Sequence, residues 1–152
     1  MANFQNGGEC FEGVCECPEN YKGESCEEEV VPNKVFIESI ELVSISQVDP
    51  DGNPWDEDWL PDVFLEINKS GIEDFETGVV LDLNGSHIFP VNMTFESPWT
   101  PMTISVWDLD NDETLNAWMQ LIVVRPYQEG QGFPTEFTVT EGDFSTPFQL
   151  KF

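Results

Sequence analysis

From Lys34 to the end of the chain, no window of a dozen residues keeps a helical period without a Pro, Gly or β-branched interruption. What recurs instead is alternation with period two, the spacing that puts every second side chain on one face of a strand. Lys34–Ser46 carries two half-runs, Val35/Ile37 and then Ile40/Leu42 with Val43, which predict one long strand with a bulge or a change of face. Val63, Leu65 and Ile67 alternate within Pro61–Asn68, and Val79, Leu81 and Leu83 within Gly78–Leu83. Ile88–Phe95, Met102–Trp107, Ala117–Val124, Glu136–Thr140 and Thr146–Phe152 follow, the nearly continuous apolar run at 117–124 reading as a central strand. Turn formers fill the gaps, among them Asp51-Gly52-Asn53-Pro54, Asn84-Gly85 and Pro98 to Pro101. The fold class is therefore all-β, an eight-stranded antiparallel β-sandwich over residues 35–152.

The chain's start is built differently. Cys10, Cys15, Cys17 and Cys26 are its four cysteines, and the stretch that holds them has almost no apolar content beyond Phe11, Val14 and Tyr21. So small a segment cannot bury a core and needs covalent staples. Zinc would call for paired CxxC-like or Cys/His spacings, whereas the spacing here is CxxxxC, then CxC, and the single His is distant at His87. Disulfides are the expectation, in one of three pairings, and with them an oxidising compartment, outside the cell or at its surface. Residues 1–27 form this segment, 28–34 an acidic linker in which neighbouring glutamates repel and Pro32 stops any helix.

Thirty acidic residues against five basic ones leave a formal charge of -25. That excludes nucleic-acid binding by phosphate neutralisation and a polybasic anchor on anionic lipid. No apolar run approaches the roughly 20 residues that span a bilayer, so a transmembrane helix is not expected. No signal peptide follows Met1-Ala2, and any export signal is expected upstream. The acids are also unevenly placed. Val48–Asp62 contains Asp49, Asp51, Asp56, Glu57, Asp58 and Asp62, and the stretch after Trp107 contains Asp108, Asp110, Asp112, Glu113 and Asn116. A D-x-D step at a strand end aims two carboxylates the same way. Crowding so many is unfavourable unless a cation neutralises them, and calcium, which takes about six to eight oxygens from flexible loops, suits the donors better than magnesium or manganese. Neither loop is an EF-hand, since glycine is the fourth residue of the first, and Glu113 stands where the second would require glycine.

Two resemblances add to this reading. Asn6-Gly7-Gly8-x-Cys10, Cys15-x-Cys17-Pro18 and Tyr21-x-Gly23-x-x-Cys26 resemble the C-terminal part of an EGF-like module. That family has six cysteines, and this chain has the last four, Phe4 standing where the second would fall. The resemblance implies a Cys17–Cys26 bridge; Cys10 and Cys15, without their family partners, pair with each other or stay free. Bacterial surface lipoproteins often carry such a stub after the lipid anchor, and the resemblance implies a cell-surface protein of that kind, an outer-membrane lipoprotein with its anchor removed. The second resemblance is to C2 domains, calcium- and phospholipid-binding sandwiches. It rests on the Asp49-Pro50-Asp51-Gly52 loop, Pro61-Asp62-Val63-Phe64-Leu65, Asn92-Met93-Thr94-Phe95 and, most specifically, Val106-Trp107-Asp108-Leu109-Asp110. It implies Asp49, Asp62, Asp108 and Asp110 as calcium ligands, and Asn116 falls where the family has a further Asp.

The leading expectation is a non-enzymatic calcium-binding module for adhesion or for contact with a phospholipid, glycan or protein ligand. Asp51, Asp112, Asn116 and Asp56 would add oxygens to the four ligands. Trp55 and Trp59, in an insertion between Asp49 and Asp62, are candidate ligand contacts, or fold back over the sandwich end. With so few basic residues, calcium-independent membrane binding is not expected. The alternatives are a structural spacer or subunit of a surface assembly whose acids only keep it soluble, and a carbohydrate-binding accessory module. A hydrolase has no support: G-x-S-x-G is absent and His87 has no nucleophile beside it in a motif. Trp99, Trp107 and Trp118 read as packing residues.

Overall fold

The computed structural model describes residues 4–56, 60–69, 74–110 and 116–132, together with the strands Glu136–Val139 and Phe148–Lys151. In the N-terminal segment, β1 (Glu9–Phe11) and β2 (Val14–Glu16) form a hairpin that sets Cys10 opposite Cys15, and these two are bonded. β3 (Tyr21–Lys22) pairs with β4 (Glu28–Glu29), and Cys17–Cys26 closes the segment. Cys26 is fully buried, and the Asn6 side-chain amide donates to its carbonyl across 2.8 Å. A Cβ at Gly8 would lie 2.5 Å from the Cys26 sulfur, so the bridge needs glycine there. Asn6 and Gly7 both take positive φ, the region these two residue types tolerate best. The run Asn6-Gly7-Gly8 thus has a packing reason. Residues 28–34 carry structure at both ends: Glu28, 3.5 Å from the Lys22 ammonium, lies in β4, and Lys34 opens the sandwich.

Eight strands follow among the described residues. They are β5 (Lys34–Leu42), β6 (Val63–Asn68), β7 (Phe75–Glu76), β8 (His87–Glu96), β9 (Met102–Asp108), β10 (Ala117–Val124), β11 (Glu136–Val139) and β12 (Phe148–Lys151). One sheet runs β10-β9-β6-β7 and the other β11-β12-β5-β8, with every neighbouring pair antiparallel. No helix occurs among the described residues. Val63, Leu65 and Ile67 of β6, Met102, Ile104 and Val106 of β9, and Met119, Ile122 and Val124 of β10 meet Ile37, Ile40, Leu42, Phe89, Val91 and Phe95 in one apolar core. The β5–β8 register shifts between Ile37 and Ser39, and the inward positions of β5 change from Ile37 to Ile40, as its two half-runs predict.

Three expectations need correction. Gly78–Leu83 is not a strand. The short β7 precedes it, and Val80 makes only an isolated bridge to Val63, because Asp82 takes φ of 50° and turns the chain. Val79 and Leu81 are consequently exposed and Leu83 alone is buried. β10, expected at the centre, ends its sheet's order, and its apolar run feeds two faces, since Leu121 and Val123 point outward. Trp99 and Trp118, read as packing residues, are exposed, 42% and 55%.

Strand direction defines two poles. β6 begins, β9 ends and β10 begins at the first, which also holds the loop between Leu42 and Val63. At the second pole, the Ser97 N–H donates to the Asn33 carbonyl, and the buried Lys69 ammonium donates to the Ser97 and Thr100 carbonyls, each at 3.1 Å, and to the Thr100 hydroxyl.

Candidate metal centre

The first pole gathers the acids. Ile104 and Val106 point into the core, and the same period carries Asp108 inward to complete burial. Asp108 lies opposite Val63 in the β6–β9 ladder, so the residue before Val63 reaches it: the Asp62 N–H donates to Asp108 Oδ1 at 2.8 Å. The Leu109 N–H returns a bond to the Asp62 carbonyl, also at 2.8 Å. Asp108 Oδ2 is buried and has no hydrogen-bond partner among the described residues. Carboxylate oxygens of Asp56, Asp108 and Asp110 lie within 4.8 Å of one another. Burial pushes the Asp108 pKa up to about 6, and the charges of Asp56, Asp110 and Asp62 add to the rise, while the Asp62 N–H works against it.

An ionised carboxylate with an orphaned buried oxygen and two acidic neighbours is unfavourable alone. A hard cation removes that penalty. The donors are all oxygens, which suits calcium and excludes the thiolate and imidazole sites of softer metals.

The remaining residues named from the sequence are placed as follows. Asp62 Oδ1 accepts the Asp82 N–H at 2.8 Å, so its carboxylate braces the neighbouring loop while its charge still reaches Asp108. Asp49 Oδ1 accepts the backbone N–H groups of Asp51 and Asn53, at 2.9 and 2.8 Å. The Asn53 N–H chiefly, with its side-chain amide and the Asp51 N–H, holds the Asp49 carboxyl below the usual carboxylate range. Asp49 therefore shapes its own turn, and the trio within 4.8 Å does not include it or Asp62. Asp51 is exposed, and Asn116 Oδ1 accepts the Asp110 N–H at 3.3 Å. Asp112 and Trp59 lie outside the described residues. Trp55, a candidate ligand contact, packs beside Leu42, Ile45, Val106 and Met119, and its indole N–H donates to the Ser46 carbonyl at 2.9 Å. Its ring closes the end of the core and sets the position of Asp56 next to it. Asp56, expected from the sequence only as a supplementary oxygen, joins Asp108 and Asp110 in the trio, and its place beside Trp55 is the sequence feature that goes with this.

No family model matches the sequence, and a search of curated proteins finds no match. Solved structures do match. The C2A domain of a plant extended synaptotagmin 1 aligns with a TM-score of 0.53 and 16% identity, over 78% of this chain and 92% of that one. A human GIVD cytosolic phospholipase A2 aligns with a TM-score of 0.44 and 9% identity, over 76% of this chain and 16% of that one. The first of these shows that the protein has the fold of a C2 domain, an all-β sandwich.

Proposed function

We propose that this protein is a non-enzymatic calcium-binding module that works outside the cell or at its surface. The observation that carries the proposal is the buried Asp108 carboxylate, whose Oδ2 has no hydrogen-bond partner among the described residues and which has carboxylate oxygens of Asp56 and Asp110 within 4.8 Å. Asp56, Asp108 and Asp110 would hold the ion, with Asp62 adding charge from beside them. A bound calcium supplies positive charge at the tip, able to meet an anionic oxygen of a partner. Two disulfides point to an oxidising compartment, and the resemblance of the segment's sequence to an EGF-like stub supports a cell-surface setting.

Two exposed apolar side chains flank the acids: Leu81, 66% exposed and next to Asp82, and Trp118 on the strand that pairs with Trp107 and Asp108. They support an anionic lipid surface, with its apolar boundary below the headgroups, ahead of a glycan or a soluble protein. Extracellular calcium modules have dissociation constants of roughly 10⁻⁴ to 10⁻³ M. At a calcium concentration tenfold above that constant, the melting temperature should rise by about 4 °C over that in chelator. The same concentration of magnesium should do less. Pelleting with phosphatidylserine vesicles should then require calcium. A melting temperature indifferent to calcium would favour a structural spacer.

A further inference from the structure

A second carboxylate is gripped at the opposite pole, by neutral donors. Glu29 of β4 reaches the loop that follows β10: its Oε2 accepts the Tyr127 hydroxyl at 2.8 Å and the Gly130 N–H at 3.2 Å, and its Oε1 accepts the Gly132 N–H at 3.0 Å. Gly130 and Gly132 have φ of 83° and 72°, a backbone that turns both N–H groups toward one anion. Tyr127 is buried, and its N–H donates to the Pro98 carbonyl at 3.0 Å. The donors therefore belong to the sandwich and the acceptor to the cystine segment. Their neutrality matters. Glu9, Glu12, Glu16, Glu19, Glu24 and Glu27 make that segment acidic, and the rest of the chain is acidic too, so net charge drives the two parts asunder. A phenol and two peptide N–H groups, all neutral, hold the anion there.

We infer that the Tyr127–Gly132 loop is a carboxylate-binding site whose ligand is Glu29, and that this side chain fastens the cystine segment to the sandwich at the pole away from Asp108. The two parts then form one body, and the acidic tip faces away from the segment at a fixed attitude. Nothing in this depends on a metal.

The test uses the full chain in chelator. Amide hydrogen exchange at Gly130 and Gly132 is measured by NMR, with residual dipolar couplings collected separately for residues 4–30 and for β5, β6, β8, β9 and β10. The native chain should fit one alignment for both sets. In Glu29→Gln the side chain keeps its size but offers one acceptor oxygen and turns an NH₂ toward a donor. Exchange at Gly130 and Gly132 should rise about tenfold or more, the loss expected of a charge-assisted hydrogen bond, and the two sets should need separate alignments. Tyr127→Phe should raise the same exchange, and adding it to Glu29→Gln should change little further. Unaltered exchange and a shared alignment in Glu29→Gln would overturn the inference, as would separate alignments in the native chain. Should that variant not fold, Glu29→Asp, which keeps the charge but shortens the reach, is read in the same way.

Discussion

The backbone N–H of Asp62 and the Oδ1 of Asp108 meet at 2.8 Å although 46 positions separate them in the chain. The bond pins one oxygen of Asp108 and leaves Oδ2 buried and without a partner among the described residues. Asp108→Asn should therefore separate folding from binding. The asparagine oxygen can keep the Asp62 bond, and the buried charge disappears. In chelator at neutral pH the variant should melt at the native temperature, or be more stable by about 1 kcal/mol, because removing an uncompensated buried charge relieves desolvation. Its calcium-dependent rise should be lost. Calorimetry in chelator and in calcium reads both, and a variant that melts lower in chelator yet still responds to calcium would contradict the assignment.

The same carboxyl gives the protein a pH signature. The Asp108 pKa is about 6 in the folded chain, against an ordinary value of 3.8. In the metal-free state the folded form holds a proton that the unfolded form has released, so stability should fall as pH rises from about 4 to about 6 and level off above. Calcium binding needs the ionised carboxylate and should weaken as pH drops through 6. The calcium-induced melting shift, measured between pH 5 and pH 7.5, should grow with pH. A pH-independent shift would place the ion elsewhere.

Much of this arrangement is legible in the residues themselves. Period two through Ile104, Val106 and Asp108 announces a strand whose last inward position is an acid, and Asp62 before Val63 marks the start of its partner. The division between Asp49 and Asp56 was not legible. Both are acids of one loop, and only the competing hydrogen bonds from Asp51 and Asn53, with the packing of Trp55, decide which carboxylate turns inward. Gly78–Leu83 misled for a related reason. Its alternation is genuine, yet the Asp82 N–H finds the Asp62 carboxylate and turns the chain before a strand can form. Short-range pattern describes faces well. It says little about which polar groups have found each other across loops.

Lys69 is the strut of the other pole. It is 6% exposed, burial lowers its pKa, and its ammonium bonds Ser97 and Thr100. Lys69→Met would fill similar volume but leave those carbonyl oxygens short of a donor, a loss of about 1 to 3 kcal/mol. Urea unfolding at constant slope reads it. The Ser97–Thr100 turn also donates the Ser97 N–H to the Asn33 carbonyl and accepts the Tyr127 N–H at the Pro98 carbonyl, so exchange at Ser97 should quicken as well. A neutral outcome would mean that water replaces the ammonium.

The disulfides make a local contribution that can be isolated. Cys17–Cys26 spans nine positions, and a bridge of that reach stabilises by about 2 to 3 kcal/mol. Its buried sulfur sits under Gly8, and the Cys26 carbonyl holds Asn6. Replacing both cysteines by serine should loosen the segment alone. The Gln5 N–H, bonded to Ser25, and the Val30 N–H, bonded to Asn20, should lose protection against exchange. Amides in the β5–β8 ladder should keep theirs, because the core of Ile37, Ile40, Phe89 and Phe95 includes none of the cysteines. The Cys10–Cys15 pair lies in an exposed hairpin, so its removal should leave Gln5 and Val30 protected. If exchange in β5–β8 rises with the first replacement, the segment contributes to the stability of the sandwich itself.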